Sequence, residues 1–321
     1  MKKIAIWEIF GKLSKVLKKL GLGRVVDTSR KVFKTIFRDS LTIETSGILL
    51  TGSIDQRSYL FQLRDSNVEH FTRKVFVDLI KPGMVVLDVG ACIGVYSILA
   101  ARKLEGRGRV YSFEPDFRNY QYLFKNINQN NFSDIITPVE SAVSDKKETI
   151  SFNLGTGMRT GSSRYAKYRS GNDGILEVNA VSLDEFLDKE IIVDVIKIDV
   201  EGSELDALDG MKEVIKRSYD KIIIIIECNP RTLYYSGTTP AKLIDKLRSL
   251  DLDVLVIDGE NQTLSPVTDR TYKDFYFYDS YPDMSRPNEN HYFIENLFCY
   301  AMGRDVNIGV IANFGVCPSF P

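Results

Sequence analysis

Acids at the ends of apolar runs, and two glycines four residues apart, are the parts of this sequence that could do chemistry. Val85-Val86-Leu87-Asp88-Val89 reads as a buried strand closing on an acid, and Gly90 and Gly94 open the helix that follows. Glycines there let the backbone approach a ligand where a side chain would collide, and Asp88 can hold a polar group of that ligand at the carboxyl edge of a sheet. Glu114 ends the next strand, Arg109 to Phe113, twenty residues after Gly94. A carboxylate at that place can accept hydrogen bonds from both hydroxyls of a ribose. The phosphate-cradling pattern G-x-G-x-x-G is broken, because Cys92 and Val95 occupy its second and third glycine positions. A ligand with a ribose and no pyrophosphate therefore fits this turn better than a nicotinamide dinucleotide does.

A second group of acids follows further on. Asp199 and Glu201 come just after a fourth strand, Val193 to Ile198, and Glu227 ends a fifth, Lys221 to Glu227. Carboxylates over that edge can align a nucleophile and take the proton of a hydroxyl. The plainer alternative has Asp199 capping the next helix while Glu201 and Glu204 complement its positive amino terminus, and the sequence leaves both open. Lys197, inside an otherwise apolar strand, either pairs with one of these acids or snorkels to the rim. His70 and His291 read as structural or exposed residues.

The elements that must position these groups alternate. A strand at 85–89, a helix at about 95–103, a strand at 109–113, a helix at about 117–128 and a strand near 135–139 are followed, after 193–198, by a helix at 207–216, a strand at 221–227, a helix at 241–250 and a strand at 253–257. Such alternation implies a parallel sheet with helices on both faces. Before it, residues 41–63 read as short strands or extended chain, and 66–80 as a helix ended by Lys81-Pro82-Gly83. Residues 153–174 lose apolar periodicity and read as a long loop over the sheet. An aromatic connection at 272–291, which could line an acceptor pocket or simply pack, leads to a last apolar segment at 297–302.

Four of these stretches, in order, resemble the motifs of FkbM-type methyltransferases. Asp88-Val89-Gly90-Ala91-Cys92-Ile93-Gly94 is similar to the first, with Cys92 where Asn is usual; Phe113-Glu114-Pro115 with Leu123 and Asn126 resembles the second; and Ser141-Ala142-Val143-Ser144-Asp145 resembles the third. Ile196-Lys197-Ile198-Asp199-Val200-Glu201-Gly202-Ser203-Glu204, with Leu208 and Gly210, resembles the family's most distinctive stretch. The resemblance runs from about Glu69 to Ile257. It implies a Rossmann-like class I methyltransferase: an α/β, doubly wound, mostly parallel sheet of seven strands, the last antiparallel, binding S-adenosyl-L-methionine at its carboxyl edge. On that reading Asp88, Gly90 and Gly94 lie beside the methionine portion, Glu114 on the ribose and Ser141-Ala142 beside the adenine, with Asp199, Glu201 and Glu227 as catalytic candidates. The expected reaction is O-methylation of a small molecule, sugar or glycan.

Composition narrows the alternatives. With 44% hydrophobic and 26% charged residues the chain is ordinary globular protein, long enough for a full core. Eleven Lys/Arg against Glu8 and Asp27 fall within residues 1–38, so the rest of a chain of net charge −1 is acidic and offers no basic groove for nucleic acid. A base methyltransferase would show Asn/Asp-Pro-Pro-aromatic after the fourth strand; Asp199-Val200-Glu201-Gly202 stands there, and Asn229-Pro230 comes one strand later without the second proline. The four cysteines have no metal-binding spacing, and no metal is expected. The chain divides into a basic helical extension (1–40), a lead-in segment (41–80), a methyltransferase domain (81–303) and a tail (304–321). No signal-peptide or membrane-spanning pattern is seen, which sets the expectation of a cytoplasmic protein.

Residues 1–20 place Ile6, Ile9, Phe10, Leu13, Val16, Leu17 and Leu20 on one helical stripe with four lysines largely off it. This stripe either packs on the core or lies on the anionic inner face of a membrane, and the second use would also serve a non-enzymatic binding protein on the same fold. Co-sedimentation with anionic vesicles separates the two uses. Binding at low salt that is lost at high salt identifies a membrane surface, whereas no binding, with a blue-shifted emission from Trp7, the single tryptophan, identifies packing.

Overall fold

The computed structural model describes residues 40–65, 69–155, 163–165, 172–267 and 295–304. The helices expected within 1–40, most of the loop tip after 155, the aromatic connection at 272–291 and nearly all of the tail lie outside these residues. The described chain opens on a hairpin, β1 (Ser40–Thr45) and β2 (Ile48–Ser53), joined through Ser46 and Gly47, both with positive φ. Two such residues make the tight turn whose twist matches paired strands. Arg57–Arg64 then forms a helix, α1, where extended chain was expected. Leu60 and Leu63, three residues apart, are its buried positions, and Gln56 Oε1 accepts from Ser53 N at 2.9 Å at its start. Helical spacing of the two leucines overrides the strand-like content of aromatic residues around them.

Helix α2 (His70–Leu79) leads to β3 (Val85–Val89), α3 (Val95–Leu104), β4 (Arg109–Phe113), α4 (Phe117–Gln129) and β5 (Ile136–Val139). Next come β6 (Ala142–Val143), β7 (Glu148–Gly155), β8 (Asn172–Val181), α5 (Leu183–Phe186) and β9 (Val195–Ile198). The chain continues with α6 (Glu204–Asp209), α7 (Lys212–Arg217), β10 (Ile223–Cys228), α8 (Pro230–Tyr235), α9 (Pro240–Arg248), β11 (Leu252–Asp258), β12 (Thr263–Pro266) and β13 (Glu295–Ala301). Eight strands form one sheet in the order β12-β11-β13-β10-β9-β3-β4-β5. Strands β5, β4, β3, β9 and β10 are parallel, and β13 inserts antiparallel between β10 and β11. The sheet thus has the seven strands expected and one more, the edge strand β12. A turn braced by Asp258, whose carboxylate accepts from Glu260 N and Asn261 N, folds β12 back on β11.

Valine and isoleucine runs such as Ile223-Ile224-Ile225-Ile226 are buried because both faces of the sheet are covered. One apolar core joins the lead-in residues Leu41 to Ile80 with α3 and α4, and a second lies under α6 to α9. The helix expected at 207–216 is broken at Gly210, where a Cβ would collide with the carbonyl of Ser144. The expected loop at 153–174 begins and ends as strand, since β7 and β8 pair antiparallel and extend a small separate sheet with β6.

Asn126 fastens the lead-in to the core. Fully buried, it accepts from Thr51 N (2.7 Å) and Gln129 Nε2 (2.7 Å) and donates to Thr51 O (2.9 Å) and Ile93 O (2.8 Å). All four hydrogen-bonding positions of the amide are used. Asn126→Ala strands the backbone N–H and two carbonyls it serves, and is expected to lower unfolding free energy by about 2–4 kcal/mol, read from urea denaturation; a loss below experimental error would show that water replaces the amide.

Candidate active site

A cavity of about 380 Å³ lies over the carboxyl ends of β3, β4, β9 and β10. Of the residues singled out from sequence, Asp88, Gly90, Glu114, Ser141, Ala142, Lys197, Asp199, Glu201 and Glu227 line it, and Gly94 does not. Strand ends and the first turns after them converge there because a doubly wound sheet leaves its carboxyl edge open.

The turn after β3 is built on left-handed backbone at Gly90 (φ 88°), Cys92 (φ 52°) and Gly94 (φ 88°). At Gly90 a Cβ would strike the carbonyl of Asp199, and at Gly94 it would stand 2.6 Å from Leu123 Cδ1. The close approaches that these glycines permit are thus made by the protein's own chain. Asp88 is turned toward α3, its Oδ2 accepting from Ser97 N (2.9 Å) and Ser97 Oγ (2.5 Å). Burial pushes its pKa up to about 6 against those hydrogen bonds. Glu114 accepts from Cys92 N through Oε2 (2.8 Å) and from Asp116 N through Oε1 (2.8 Å), and the Asn119 side chain also bonds to it, which together fix the carboxyl plane. Burial pushes Glu114 to about 8. The Ser141 hydroxyl is spent on the chain, donating to Asn179 O at 2.9 Å, while Ala142, Val143, Ile150 and Phe152 give the cavity an apolar wall.

Lys197 is fully buried in β9 and pairs with Asp199 (3.5 Å), donates to Asn296 Oδ1 (3.1 Å), and stands 5.3 Å from the centre of the Tyr96 ring. Burial lowers its pKa, and Asp199, Glu69, Glu227 and Asp88 together reverse that effect, leaving it raised. Of the two readings of this lysine, the structure shows pairing. Asp199 does not cap α6, whose N-cap is Ser203; Glu204 serves that end instead, accepting from Gly202 N at 3.0 Å. Glu201 takes left-handed backbone (φ 53°), and its carbonyl accepts from the buried Ser163 Oγ at 2.6 Å, tying the β7–β8 excursion to the cavity rim. Glu227 is raised well above the usual carboxylate range, by burial first and by Asp199 and Glu201 next, and its Oε2 is buried without a hydrogen-bond partner. His70 is exposed, and His291 lies outside the described residues.

Tyr59, Glu69, Tyr96, Asn119 and Asn296 also line the cavity. Glu69 Oε1 accepts from Asn296 Nδ2 at 2.9 Å, and the Tyr96 hydroxyl is buried with no partner. None of these residues sits in a motif. Only Tyr96, two residues beyond Gly94 in the first turn of the helix that this glycine opens, carried a positional signal.

A parallel sheet with one antiparallel strand inserted beside its fifth member, and a cavity bounded by acids from its first two central strands, define a class I methyltransferase. The site fits the donor of that class: an apolar wall for a base, a fixed carboxyl for hydroxyls, and buried polar atoms that the chain leaves unpartnered. Residues 88–254, more than half of the chain, match the methyltransferase FkbM domain, and the chain belongs to this family. It is an S-adenosyl-L-methionine-dependent methyltransferase. Over 229 residues it is 23% identical to the hexuronic acid methyltransferase AglP of Haloferax volcanii, covering 70% of this chain and 90% of that protein. Over 195 residues it is 26% identical to the 2-O-methyltransferase NoeI of Sinorhizobium fredii, covering 56% and 77%. A precorrin-6y C5,15-methyltransferase structure from Geobacter metallireducens overlays with a TM-score of 0.40 at 14% identity, over 73% of this chain and 87% of that one.

Four buried acids predict how stability responds to pH. Asp88, Glu204 (about 7), Glu114 and Glu227 keep their protons in the folded state at pH values where the unfolded chain has lost them. Raising pH from about 4.5 to about 8 therefore removes protons from the fold and lowers its stability, a trend complete only above the highest folded pKa. Thermal melts of the ligand-free protein should fall across that window, and Glu114→Gln should flatten the slope between pH 6 and 8. A slope unchanged by the substitution would show that Glu114 ionises without cost.

Proposed function

We propose that this protein methylates a hydroxyl of a sugar or glycan, with Glu227 as the base. Glu227 carries the reading: its Oε2 is a buried carboxylate oxygen without a partner, in the same cavity as the Lys197–Asp199 pair. The names of the two relatives, one a hexuronic acid methyltransferase and one a 2-O-methyltransferase, support an oxygen acceptor on a carbohydrate.

On this reading Glu114 accepts from the ribose hydroxyls of the donor, Ala142 with Val143, Ile150 and Phe152 encloses the adenine, and the backbone at Gly90 lies against the methionine portion. Asp88 and Gly94 act indirectly, the first by bracing α3 and the second by admitting Leu123 behind the turn. Ser141 places Ala142 through its hydrogen bond to β8. When bound, the donor supplies an electrophilic methyl group on a sulfonium. Lys197 fixes Asp199 and leaves Glu227 as the carboxylate free to meet the acceptor. The hydroxyl proton passes to the ionised form of Glu227 as the oxygen–carbon bond forms and the sulfur–methyl bond breaks, and because burial raises the pKa of this carboxyl, turnover is expected to rise with pH as Glu227 ionises.

Glu227→Gln should lower kcat by about 10² to 10⁴ while S-adenosylhomocysteine affinity stays within a few fold. The assay is transfer of labelled methyl to uronic acids and neutral hexoses. A fall confined to Asp199→Asn or to Glu201→Gln would move the base to that residue, and full turnover in all three would leave alignment alone as the source of rate. Glu114→Ala, measured by calorimetry at pH 8.5 where the carboxylate is ionised, should weaken S-adenosylhomocysteine by about 2–4 kcal/mol; unchanged affinity removes Glu114 from the ribose.

A further inference from the structure

A second cleft, of about 400 Å³, adjoins the reaction cavity. Thr149, Ile150 and Ser151 of β7, Arg164 and Tyr165 of the excursion that follows it, and Tyr235 at the end of α8 line this cleft. Ile150 and Arg164 line the reaction cavity as well, so the two spaces meet at these side chains. Its volume falls in the range of small-ligand sites.

Both sides of the cleft are fastened to one turn on the rim of the reaction cavity. On one side the buried Ser163 Oγ donates to Glu201 O (2.6 Å) and accepts from Tyr165 N (3.1 Å). Ser163 is held on β7 in turn, exchanging two backbone hydrogen bonds with Asn153 (2.9 and 3.0 Å). On the other side Gly202, with φ 102°, admits the carbonyl of Thr232 so closely that a Cβ would stand 2.8 Å from it. Thr232 belongs to α8, and Tyr235 is three residues further along that helix. Tyr165 Oη also donates to Asp206 Oδ2 at 3.0 Å, and Asp206 lines the reaction cavity beside Glu201. The cleft therefore lies against the Glu201–Asp206 end of the reaction cavity.

Arg164 Nη1 is 3.2 Å from Glu148 Oε1 and 3.8 Å from Asp206 Oδ2. With two carboxylates on one guanidinium, the cleft has no surplus positive charge with which to draw a phosphate or a sulfate. What it offers is two tyrosines, an aliphatic side chain, the hydroxyls of Thr149 and Ser151, and the donors of Arg164. A pyranose ring has the matching character: its C–H faces lie against aromatic rings, and its hydroxyl edge meets polar side chains. We propose that this cleft is a second sugar subsite, in which Tyr235 and Tyr165 hold the pyranose next to the one being methylated. The acceptor is then an oligosaccharide or a glycan end and not a free monosaccharide. The inference rests on the sugar-hydroxyl reading given above.

Saturation-transfer NMR and calorimetry on the S-adenosylhomocysteine-saturated protein test the subsite. The probes are glucose, galactose, mannose and glucuronate, with cellobiose, lactose, α-1,2-mannobiose and cellobiouronate, which carry the same sugars at their non-reducing ends. At least one disaccharide should bind about tenfold more tightly than its monosaccharide, the worth of one further ring on an aromatic face, with saturation reaching both rings. Tyr235→Ala should remove that gain and leave monosaccharide affinity within about twofold. Tyr235→Phe should keep the gain, and so should Tyr234→Ala, a change at the exposed neighbour that does not line the cleft. Disaccharides that bind no more tightly than their monosaccharides overturn the subsite and leave the sugar reading standing, as does a gain that survives both Tyr235→Ala and Tyr165→Ala. An equal gain for octyl glucoside over glucose also overturns it, by giving the cleft to an apolar aglycone. Should Tyr235→Ala fail to fold, wild type decides through the disaccharide and octyl glucoside comparisons. Retention of S-adenosylhomocysteine with no binding of any of these sugars sinks the sugar reading itself, and the subsite with it.

Discussion

The carboxyl edge of this protein depends on a turn held in left-handed backbone at three of five residues, Gly90, Cys92 and Gly94. Two glycines adopt that conformation freely, but Cys92 carries a Cβ and takes it at a cost of roughly 1 kcal/mol. Side chains from three elements hold the turn: Glu114 on Cys92 N, Asn126 on Ile93 O, and Asp88 on the first turn of α3. Backbone supports it as well, Gly90 N and Ala91 N both donating to Phe113 O. Glu114 is thus tied to the architecture before it meets any ligand. A carboxyl whose plane is set by two backbone N–H groups has little rotational freedom left to lose on binding. The absence of a Cβ at Gly90 then lets the Asp199 carbonyl close on the turn, so the first and fourth strand ends share one wall.

A second constraint is electrostatic. Lys197 occupies the middle of the sheet with no exposure, and an ammonium placed so deep must be surrounded by acceptors and negative charge. Asp199, Asn296 and the face of Tyr96 supply the contacts, and Glu69 and Glu227 add to the field. The same acids repel one another, which, after burial, is what raises the pKa of Glu227. Lysine and carboxylates therefore form a single charged unit, and altering any member changes the protonation of the others.

Legibility in the sequence followed the range of the interactions. The βαβ alternation, Asp88 and Glu114 could be read because strand end, turn and helix start are consecutive, and because an acid at a strand end is a local pattern. The purpose of the two glycines could not be read: the groups that demand them, Asp199 O and Leu123, lie far along the chain. The helix at 57–64 is hidden for a related reason, since two leucines give little periodicity and the side chain of Gln56, just before the helix, bonds back to Ser53 N instead of capping it. The break at Gly210 answers to a carbonyl at Ser144, and no helix propensity encodes that contact.

The far end of the cavity lies at the limit of such reading. Glu69 precedes the first central strand with left-handed backbone, Asn296 belongs to the last strand, and the two are joined by a hydrogen bond across 227 positions. Asn296 also accepts from Lys197, so a line of polar contacts runs from the lead-in helix through the final strand into the centre of the sheet. The insertion of β13 between β10 and β11 is what brings Asn296 to that place, opposite Glu227 in the strand register. The antiparallel strand therefore does more than complete the sheet. It carries a neutral amide to the one position from which it can satisfy a buried lysine on one side and hold Glu69 on the other, and an acid or a base at that position would leave one of the two partners facing a like charge.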